Sequence, residues 1–223
     1  MNNTKLKIAF SGPSGLGKTT LCKYVEENVN IPHLSTSAMD ILSDYDKRTL
    51  KNSFRYKGTG HKEVINLSSK DPSFGFFFQN AVLGARASQI RNADQFVLDR
   101  CPIDNVAYLL SQVGHNLRED QVKKFIAEAM EIYQSLSHVI LIKYSNDIPS
   151  IEDNNSRVPN RFFQQYISDV FMGVYTRYFA NIMGPQLIIL DFWNLDERKS
   201  TLRSFLGGDP QLDIEFKERL NDA

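Results

Sequence analysis

The sequence has little cysteine and no apolar segment of membrane-spanning length. Only Cys22 and Cys101 occur in 223 residues, so we expect no disulfide framework and favour a reducing, cytoplasmic location. No apolar run approaches the ~20 residues that a membrane-spanning helix needs. The start of the chain, MNNTKLKIAF, is too polar and too short for a signal peptide. The sequence therefore predicts a soluble globular protein without a membrane partner.

An excess of one charge is also missing. Lys and Arg together number 26, as do Asp and Glu, so the formal net charge is zero. A neutral chain has no broad attraction for nucleic acid or membrane, although a local basic groove remains compatible with it. Hydrophobic residues make up 42% of the chain, which is enough for a sizeable core. The length favours one domain over residues 1–223.

Apolar strands alternate with helical segments along the chain. The strand-like segments lack polar alternation, which is typical of a parallel sheet covered by helices on both faces. We therefore predict a three-layer α/β fold with a sheet of about five strands. The predicted strands are 5–10, 33–36, 95–99, 138–143 and 187–191, and the predicted helices are 18–28, 77–92, 102–113, 119–136, 159–181 and 195–206.

Two segments lack a core pattern. Residues 37–76 are polar and mixed, with Gly58, Gly60, Pro72 and Gly75 as expected breaks, and we interpret them as a substrate-facing insertion. Residues 144–161 form a second polar stretch, which we interpret as a lid.

The stretch SGPSGLGKTT follows the first strand and carries the strongest motif. It fits G-x-x-x-x-G-K-S/T between a strand and a helix, the pattern of a loop that wraps a triphosphate with its backbone N–H groups. Lys18 would bridge the outer phosphates, and the Thr19 hydroxyl would hold Mg²⁺. The predicted nucleotide-binding residues are Gly12, Pro13, Ser14, Gly15, Leu16, Gly17, Lys18, Thr19 and Thr20.

This loop predicts ATP and Mg²⁺ as ligands but does not by itself define a kinase, because GTPases, motors and switches share it. An N-K-x-D guanine motif is absent from the sequence. A large AAA-type machine would need a longer chain with a sensor region and a lid bundle. The length therefore favours a small-molecule kinase.

A second pattern, FVLDRCPIDNVAYLL, places Asp99 and Arg100 at the carboxyl end of a buried strand, where parallel sheets bind ligands. With the phosphate loop, it resembles the P-loop nucleoside and nucleotide kinases. That group includes thymidylate kinases, deoxynucleoside kinases, ribosylnicotinamide kinases and small phage-encoded relatives. The resemblance covers most of residues 6–206. It implies that Asp99 acts on the Mg²⁺ shell or as a base toward the acceptor, and that Arg100 binds the acceptor. The alternative for Asp99 is a strand-end cap paired with Arg100.

The preceding helix carries a polar pair on one face. Gln79 and Arg86 are seven positions apart, so they share a side of the helix, with Phe78 or Phe76 available to stack on a base. In the kinases that this chain resembles, a Gln or Arg on this helix recognises the acceptor base. The alternative is a solvated helix face.

Arg157 and Arg161 flank Pro159 before a long helix. Arginines on a mobile loop can stabilise the charge of a transferring phosphoryl group, and the resemblance implies a lid here. The alternative is two surface arginines.

These observations predict an ATP-dependent kinase of a nucleoside or a (deoxy)nucleoside monophosphate, in which Lys18, Asp99, Arg100, Arg157 and Arg161 are the catalytic candidates. A kinase of a hydroxymethylated base in DNA, as in certain phage relatives, is one alternative, with nucleic acid as a less favoured partner. A nucleotide-dependent switch or accessory ATPase is another. A homodimer is compatible with the sequence, which does not identify the acceptor.

Overall fold

The computed structural model of the chain describes residues 5–34, 68, 70–145, 147 and 160–207. Within these residues five strands form one sheet, in which every neighbouring pair is parallel. The strands are β1 (Lys7–Ser11), β2 (His33–Leu34), β3 (Phe96–Asp99), β4 (His138–Ile142) and β5 (Gln186–Leu190), and their order across the sheet is β2-β3-β1-β4-β5. The predicted parallel α/β fold is confirmed.

Helices follow the strands and cover the sheet. The described α-helices are α1 (Lys18–Val29), α2 (Pro72–Asn92), α3 (Pro102–Gln112), α4 (Glu119–Gln134), α5 (Arg161–Val174) and α6 (Leu195–Leu206), and a short 3₁₀ helix spans Gly114–Asn116. None of the helices within the described ranges is long and apolar enough to cross a lipid bilayer.

The central strand β1 shows why the sheet is covered twice. Ile8 and Phe10 belong to one buried cluster with residues of α1 and α6, whereas Ala9 belongs to a second cluster with residues of α2, α3, α4 and α5. All three side chains are fully buried. Burial of a side chain such as Phe10 contributes about 1.5–3 kcal/mol, so both helical layers stabilise this strand. Its three central residues are all apolar because both faces of the strand are core.

Helix α2 begins earlier than the sequence predicted. Pro72 and Gly75 were expected to interrupt secondary structure, but both lie inside α2. The Asp71 carboxylate caps the helix by accepting hydrogen bonds from two N–H groups of the first turn, at 3.0 Å and 3.2 Å. Proline suits the first helical position, where its missing N–H group has no partner to lose. Residues 72–76 of the predicted insertion therefore belong to α2, and residues 37–67 lie outside the described part of the chain.

Helix α5 is shorter than predicted. It begins at Arg161, after the cap residue Asn160, and ends at Val174. A wider helical turn, Tyr175–Phe179, continues it, with the Ala180 N–H group donating to the Tyr175 carbonyl at 2.9 Å. Most of the predicted lid, including Arg157 and Pro159, lies outside the described residues.

Candidate active site

The loop between β1 and α1 has backbone conformations that residues with a side chain rarely adopt. Gly12, Gly15 and Gly17 have φ angles of 130°, 86° and 81°, in the region that favours glycine. A Cβ atom at Gly12 would lie 2.3 Å from the carbonyl oxygen of Ile142, so β4 excludes any larger residue there. Gly17 is the cap residue of α1, so the loop leads directly into the amino end of a helix. Unpaired N–H groups at such an end bind anions.

Lys18 is buried inside this loop, with 4% of its surface exposed. Its Nζ atom donates to the carbonyl oxygens of Gly12 at 2.8 Å and Pro13 at 2.5 Å. Burial lowers the pKa of the Lys18 ammonium to about 7, because removal from water disfavours the charged form. An anion bound in this loop would raise the pKa of Lys18 again and so favour its charged form.

Asp99 ends β3 directly beside β1, opposite Phe10 in the strand register. Its Oδ2 atom accepts a hydrogen bond from the Thr19 hydroxyl. Its Oδ1 atom is buried and has no hydrogen-bond partner among the described residues. Burial by itself would raise the pKa of the Asp99 carboxyl, but the cations Lys18 and Arg100 outweigh that effect, and the pKa is lowered. Asp99 is therefore an ionised carboxylate with an oxygen available for a ligand.

The oxygens of Thr19 and Asp99 fit a magnesium ion. Mg²⁺ prefers hard oxygen ligands and is usually held by one or two carboxylates together with substrate phosphates. No group of three or more His, Cys, Asp or Glu side chains that could hold a metal occurs within the described ranges. The donors of this site therefore suit an ion that arrives with a nucleotide rather than one held by protein side chains alone.

Arg100 joins the phosphate loop to helix α3. Its Nη1 atom donates to the Gly12 carbonyl at 3.1 Å and to the Asp104 carboxylate at 3.0 Å, and its Nη2 atom donates to the Ser14 hydroxyl at 2.9 Å. The guanidinium also lies over the Tyr108 ring, 5.8 Å from its centroid. The backbone of Arg100 has a φ of 139°, a conformation that costs about 1–3 kcal/mol in residues other than glycine. The surrounding contacts hold the residue in this strained position.

Arg100 keeps its positive charge in this environment. Burial alone would lower the pKa of the guanidinium, but Tyr108 and Asp104 oppose this, and the pKa is raised overall. Asp104 also accepts from the Cys101 N–H group at 3.0 Å. The carboxylate therefore fixes both the side chain and the following backbone.

A cavity of about 190 Å³ lies between the loop and the end of β3. Every residue that lines it was predicted from the sequence to take part in the site. They are Ser14, Gly15, Gly17, Lys18, Thr19, Thr20, Asp99 and Arg100. The structure thus brings the two sequence patterns together around one space.

Gln79 and Arg86 belong to a buried polar chain. Arg86 donates to Oδ1 of Asn105, whose Nδ2 atom donates to Oε1 of Gln79 at 3.2 Å. Gln79 and Arg86 are each 5% exposed and Asn105 is 1% exposed, so the solvated-face alternative is wrong. Burial lowers the pKa of Arg86 to about 10, which leaves it charged at neutral pH. Because Asn105 directly follows Asp104, this chain adjoins the Arg100 contacts.

The other residues predicted to take part in the site are two phenylalanines of α2 and one arginine of α5. Phe78 is 5% exposed and lies parallel to Phe74, with ring centroids 6.1 Å apart. Phe76 packs against Phe125, with the centroids of the two rings 6.4 Å apart. Their stacking on a base stays a prediction. Arg161 is exposed at the start of α5, and its role in catalysis also stays a prediction.

Sequence reasoning missed several residues around the site. Asn105 gave no pattern that sets it apart, and Arg198, which donates to the loop carbonyl of Leu16 at 2.7 Å, lies in a polar helix far along the chain. The spacing of Arg100 and Asp104, typical of a helical ion pair, could have indicated their contact.

A second cavity of about 400 Å³ shares two residues with the first and was not predicted. It is lined by Thr19, Thr20, Lys23, Tyr24, Glu27 and Lys199.

This sheet order and loop define a P-loop α/β domain, as the sequence predicted. The chain belongs to the AAA_28 family, described as an AAA domain, whose model matches residues 7–183.

Similar proteins include kinases. A cytidylate kinase of Desulfurococcus amylolyticus is 30% identical over 94 residues, which cover 42% of this chain and 43% of that protein. The match therefore spans less than half of the relative. A structure of deoxyadenosine kinase from M. mycoides with bound dCTP is similar with a TM-score of 0.58 and 13% identity, over 91% of this chain and all of that one. The same enzyme with bound dATP gives a TM-score of 0.56 at 14% identity. These two structures show the shared fold.

Proposed function

We propose that this protein is an ATP-dependent phosphotransferase that moves the γ-phosphoryl group to a nucleoside or a (deoxy)nucleoside monophosphate. The proposal depends above all on one observation. The cavity that contains Lys18 and Asp99 is joined through Arg100 and Asp104 to the buried polar chain of Gln79 and Asn105. A site for phosphates therefore adjoins a set of hydrogen-bonding groups suited to a base.

The phosphate loop would bind the donor. Its backbone N–H groups, the amino end of α1 and the Lys18 ammonium supply positive charge in a confined space. The second cavity continues from Thr19 and Thr20 to Tyr24 and Lys199. The nucleoside part of ATP would lie there, since this cavity begins where the phosphate cavity ends.

Thr19 and Asp99 would hold Mg²⁺ together with the donor phosphates. When bound, this ion neutralises charge on the phosphate oxygens. The free Oδ1 atom of Asp99 supports this assignment, because a buried carboxylate oxygen without a partner is costly unless a ligand completes it.

The polar chain would recognise the acceptor base. Base edges present donors and acceptors in fixed patterns, which buried amides such as Gln79 can match. The side-chain N–H group of Asn105 donates to the amide oxygen of Gln79. This hydrogen bond fixes the orientation of the Gln79 amide. A recognition group held in one orientation discriminates among bases better than a mobile one.

The chemistry of the acceptor remains a choice between two groups. A phosphate with its second pKa near 6 is largely ionised at pH 7 and needs positive charge, which Arg100 supplies. A nucleoside hydroxyl needs a carboxylate near its proton, and Asp99 is ionised. The similar proteins are named for both kinds of acceptor, cytidylate in one and deoxyadenosine in the other. Arg157 and Arg161 would close on the transferring group.

A screen of ATP consumption tests the proposal. Purified protein with Mg²⁺ is given each nucleoside, each monophosphate and DNA with hydroxymethylated bases in turn. We expect one small acceptor to stimulate ATP consumption and the phosphorylated product to appear. Lys18→Ala should abolish transfer while retaining the fold, because the lysine charge is lost. Lys123→Ala, at a side chain that is 73% exposed on α4, is the matched control and should retain activity.

The other outcomes identify the alternatives. Stimulation by hydroxymethylated DNA alone, lost steeply as salt rises, would indicate the DNA kinase. ATP hydrolysis that no acceptor stimulates would indicate a switch or accessory ATPase. Unchanged turnover in Lys18→Ala would contradict the role of the phosphate loop.

A further inference from the structure

Arg198 is the largest fully buried side chain of the described residues, and it lies behind the phosphate loop. Its Nη1 atom donates to the Leu16 carbonyl at 2.7 Å, and its Nε atom donates to the Phe192 carbonyl at 2.5 Å. The guanidinium also lies 5.2 Å from the centroid of the Trp193 ring. One side chain thus joins the loop to the segment between β5 and α6.

Among the residues that the structure describes, no carboxylate pairs with the charge of Arg198. Within the described ranges none of the ion pairs includes it, and its Nη2 atom is buried without a hydrogen-bond partner. Burial lowers the pKa of the guanidinium to about 10, so the group is still charged at neutral pH. A buried and uncompensated charge is costly. Its presence beside an anion-binding loop therefore calls for a functional explanation.

The contact with Leu16 fixes a peptide group of the loop. In a trans peptide the carbonyl and the following N–H group point in opposite directions. Because Arg198 holds the Leu16 carbonyl, the Gly17 N–H group points away from Arg198. Gly17 lines the phosphate cavity, and Arg198 is not among the residues that line it. Rotation of the peptide would break the hydrogen bond and expose the carbonyl oxygen to the anion.

We propose that Arg198 is a positioning residue that locks the Leu16–Gly17 peptide for phosphate binding and couples the loop to the segment around Trp193. It acts through the backbone of the loop and does not itself touch the nucleotide. The inference depends on the proposed nucleotide site and assigns that site a part that the sequence motif does not contain. It also predicts that phosphate binding is transmitted to Phe192 and Trp193, since the guanidinium contacts both.

The single tryptophan of the chain makes this testable by fluorescence. The protein is titrated with the non-hydrolysable analogue AMP-PNP and Mg²⁺ while Trp193 emission is recorded, and affinity is measured independently by calorimetry. In the wild type we expect saturable binding with a change in emission. In Arg198→Met the affinity should fall about tenfold or more, the loss expected when a charged hydrogen bond is removed, and the emission change should be lost. Arg118→Met, at a side chain that is 75% exposed, is the matched control and should behave as the wild type.

Arg198→Lys separates charge from geometry. Lysine retains the charge but lacks the planar fork that reaches two carbonyls. An intermediate affinity with a weakened emission response is expected. Wild-type affinity and emission response in Arg198→Met would overturn the inference and leave the nucleotide site intact. If Arg198→Met does not fold, Arg198→Lys decides: reduced affinity supports the inference, and wild-type behaviour overturns it. A wild-type protein that binds no AMP-PNP would overturn both this inference and the proposed function.

Discussion

The Thr19 hydroxyl donates a hydrogen bond to the Asp99 carboxylate, although the two residues are 80 positions apart in the chain. This contact places the end of the phosphate loop against the end of β3. It also leaves the second carboxylate oxygen of Asp99 buried and unpartnered among the described residues. The pair is therefore where we expect the metal ion of the donor complex.

Asp99→Asn should weaken Mg²⁺ dependence selectively. The amide retains an oxygen for Thr19 but loses the negative charge that attracts the ion. We expect the Mg²⁺ concentration for half-maximal turnover to rise about tenfold or more, whereas AMP-PNP affinity in EDTA stays unchanged or improves. Asp120→Asn, at a side chain that is 72% exposed, is the control. A fall in turnover with unaltered Mg²⁺ dependence would instead assign Asp99 to the acceptor proton.

Nucleotide binding should be coupled to proton uptake by Lys18. The pKa of Lys18 is about 7 in the free protein and should rise when phosphates surround it, because anions favour the charged form. At a pH between the pKa of Lys18 in the free protein and its pKa in the complex, Lys18 is protonated in the complex and largely deprotonated in the free protein. Affinity should therefore fall as pH rises above about 7, by at most tenfold per pH unit.

Calorimetry at pH 8 in two buffers of different ionisation enthalpy measures this uptake. The observed heat should differ between buffers for the wild type and be equal for Lys18→Met, which has no titrating group. An equal heat in both buffers for the wild type would refute the coupling.

Gln79→Leu should impair acceptor binding without affecting the donor. The buried amide is lost and the Nδ2 group of Asn105 is left unpaired, which costs about 1–3 kcal/mol. We expect the KM for the acceptor to rise about tenfold or more, and the KM for ATP to change less than about twofold. Steady-state kinetics with each substrate varied in turn measures the split. Gln134→Leu, at an exposed position on α4, is the control, and an equal rise in both KM values would exclude a role in acceptor recognition.

Gly12→Ala should destabilise the fold strongly. The added Cβ would lie 2.3 Å from the Ile142 carbonyl oxygen, and the φ of 130° is unfavourable for alanine. We expect a loss of about 2–4 kcal/mol in the free energy of unfolding, measured by urea denaturation. Gly173→Ala provides the comparison, because an added Cβ meets nothing within 4 Å in helix α5. That variant should gain about 0.5–1 kcal/mol, as expected for alanine in a helix, and similar stabilities of the two variants would contradict the steric argument.

Contiguous sequence determined the phosphate loop. Gly12 to Thr20 needed no distant residue to be recognised, because glycines at fixed spacing between a strand and a helix dictate the backbone path. Asp99 and Arg100 were also predictable, since the carboxyl ends of parallel strands share one edge of the sheet. The start of α2 was encoded as well, in Asp71 and Pro72, but the proline was interpreted as a break rather than as a first helical residue.

Tertiary packing decided the rest. The hydrogen bond between Asn105 and Gln79 joins residues 26 positions apart, and that between Arg198 and Leu16 joins residues 182 positions apart. Neither pair has a local pattern, because the contact depends on how helices cover the sheet and not on spacing along the chain. The sequence by itself determined the loop in which we expect phosphates to bind. Only the folded structure showed which buried groups surround that site, since burial and partner choice are properties of the assembled layers.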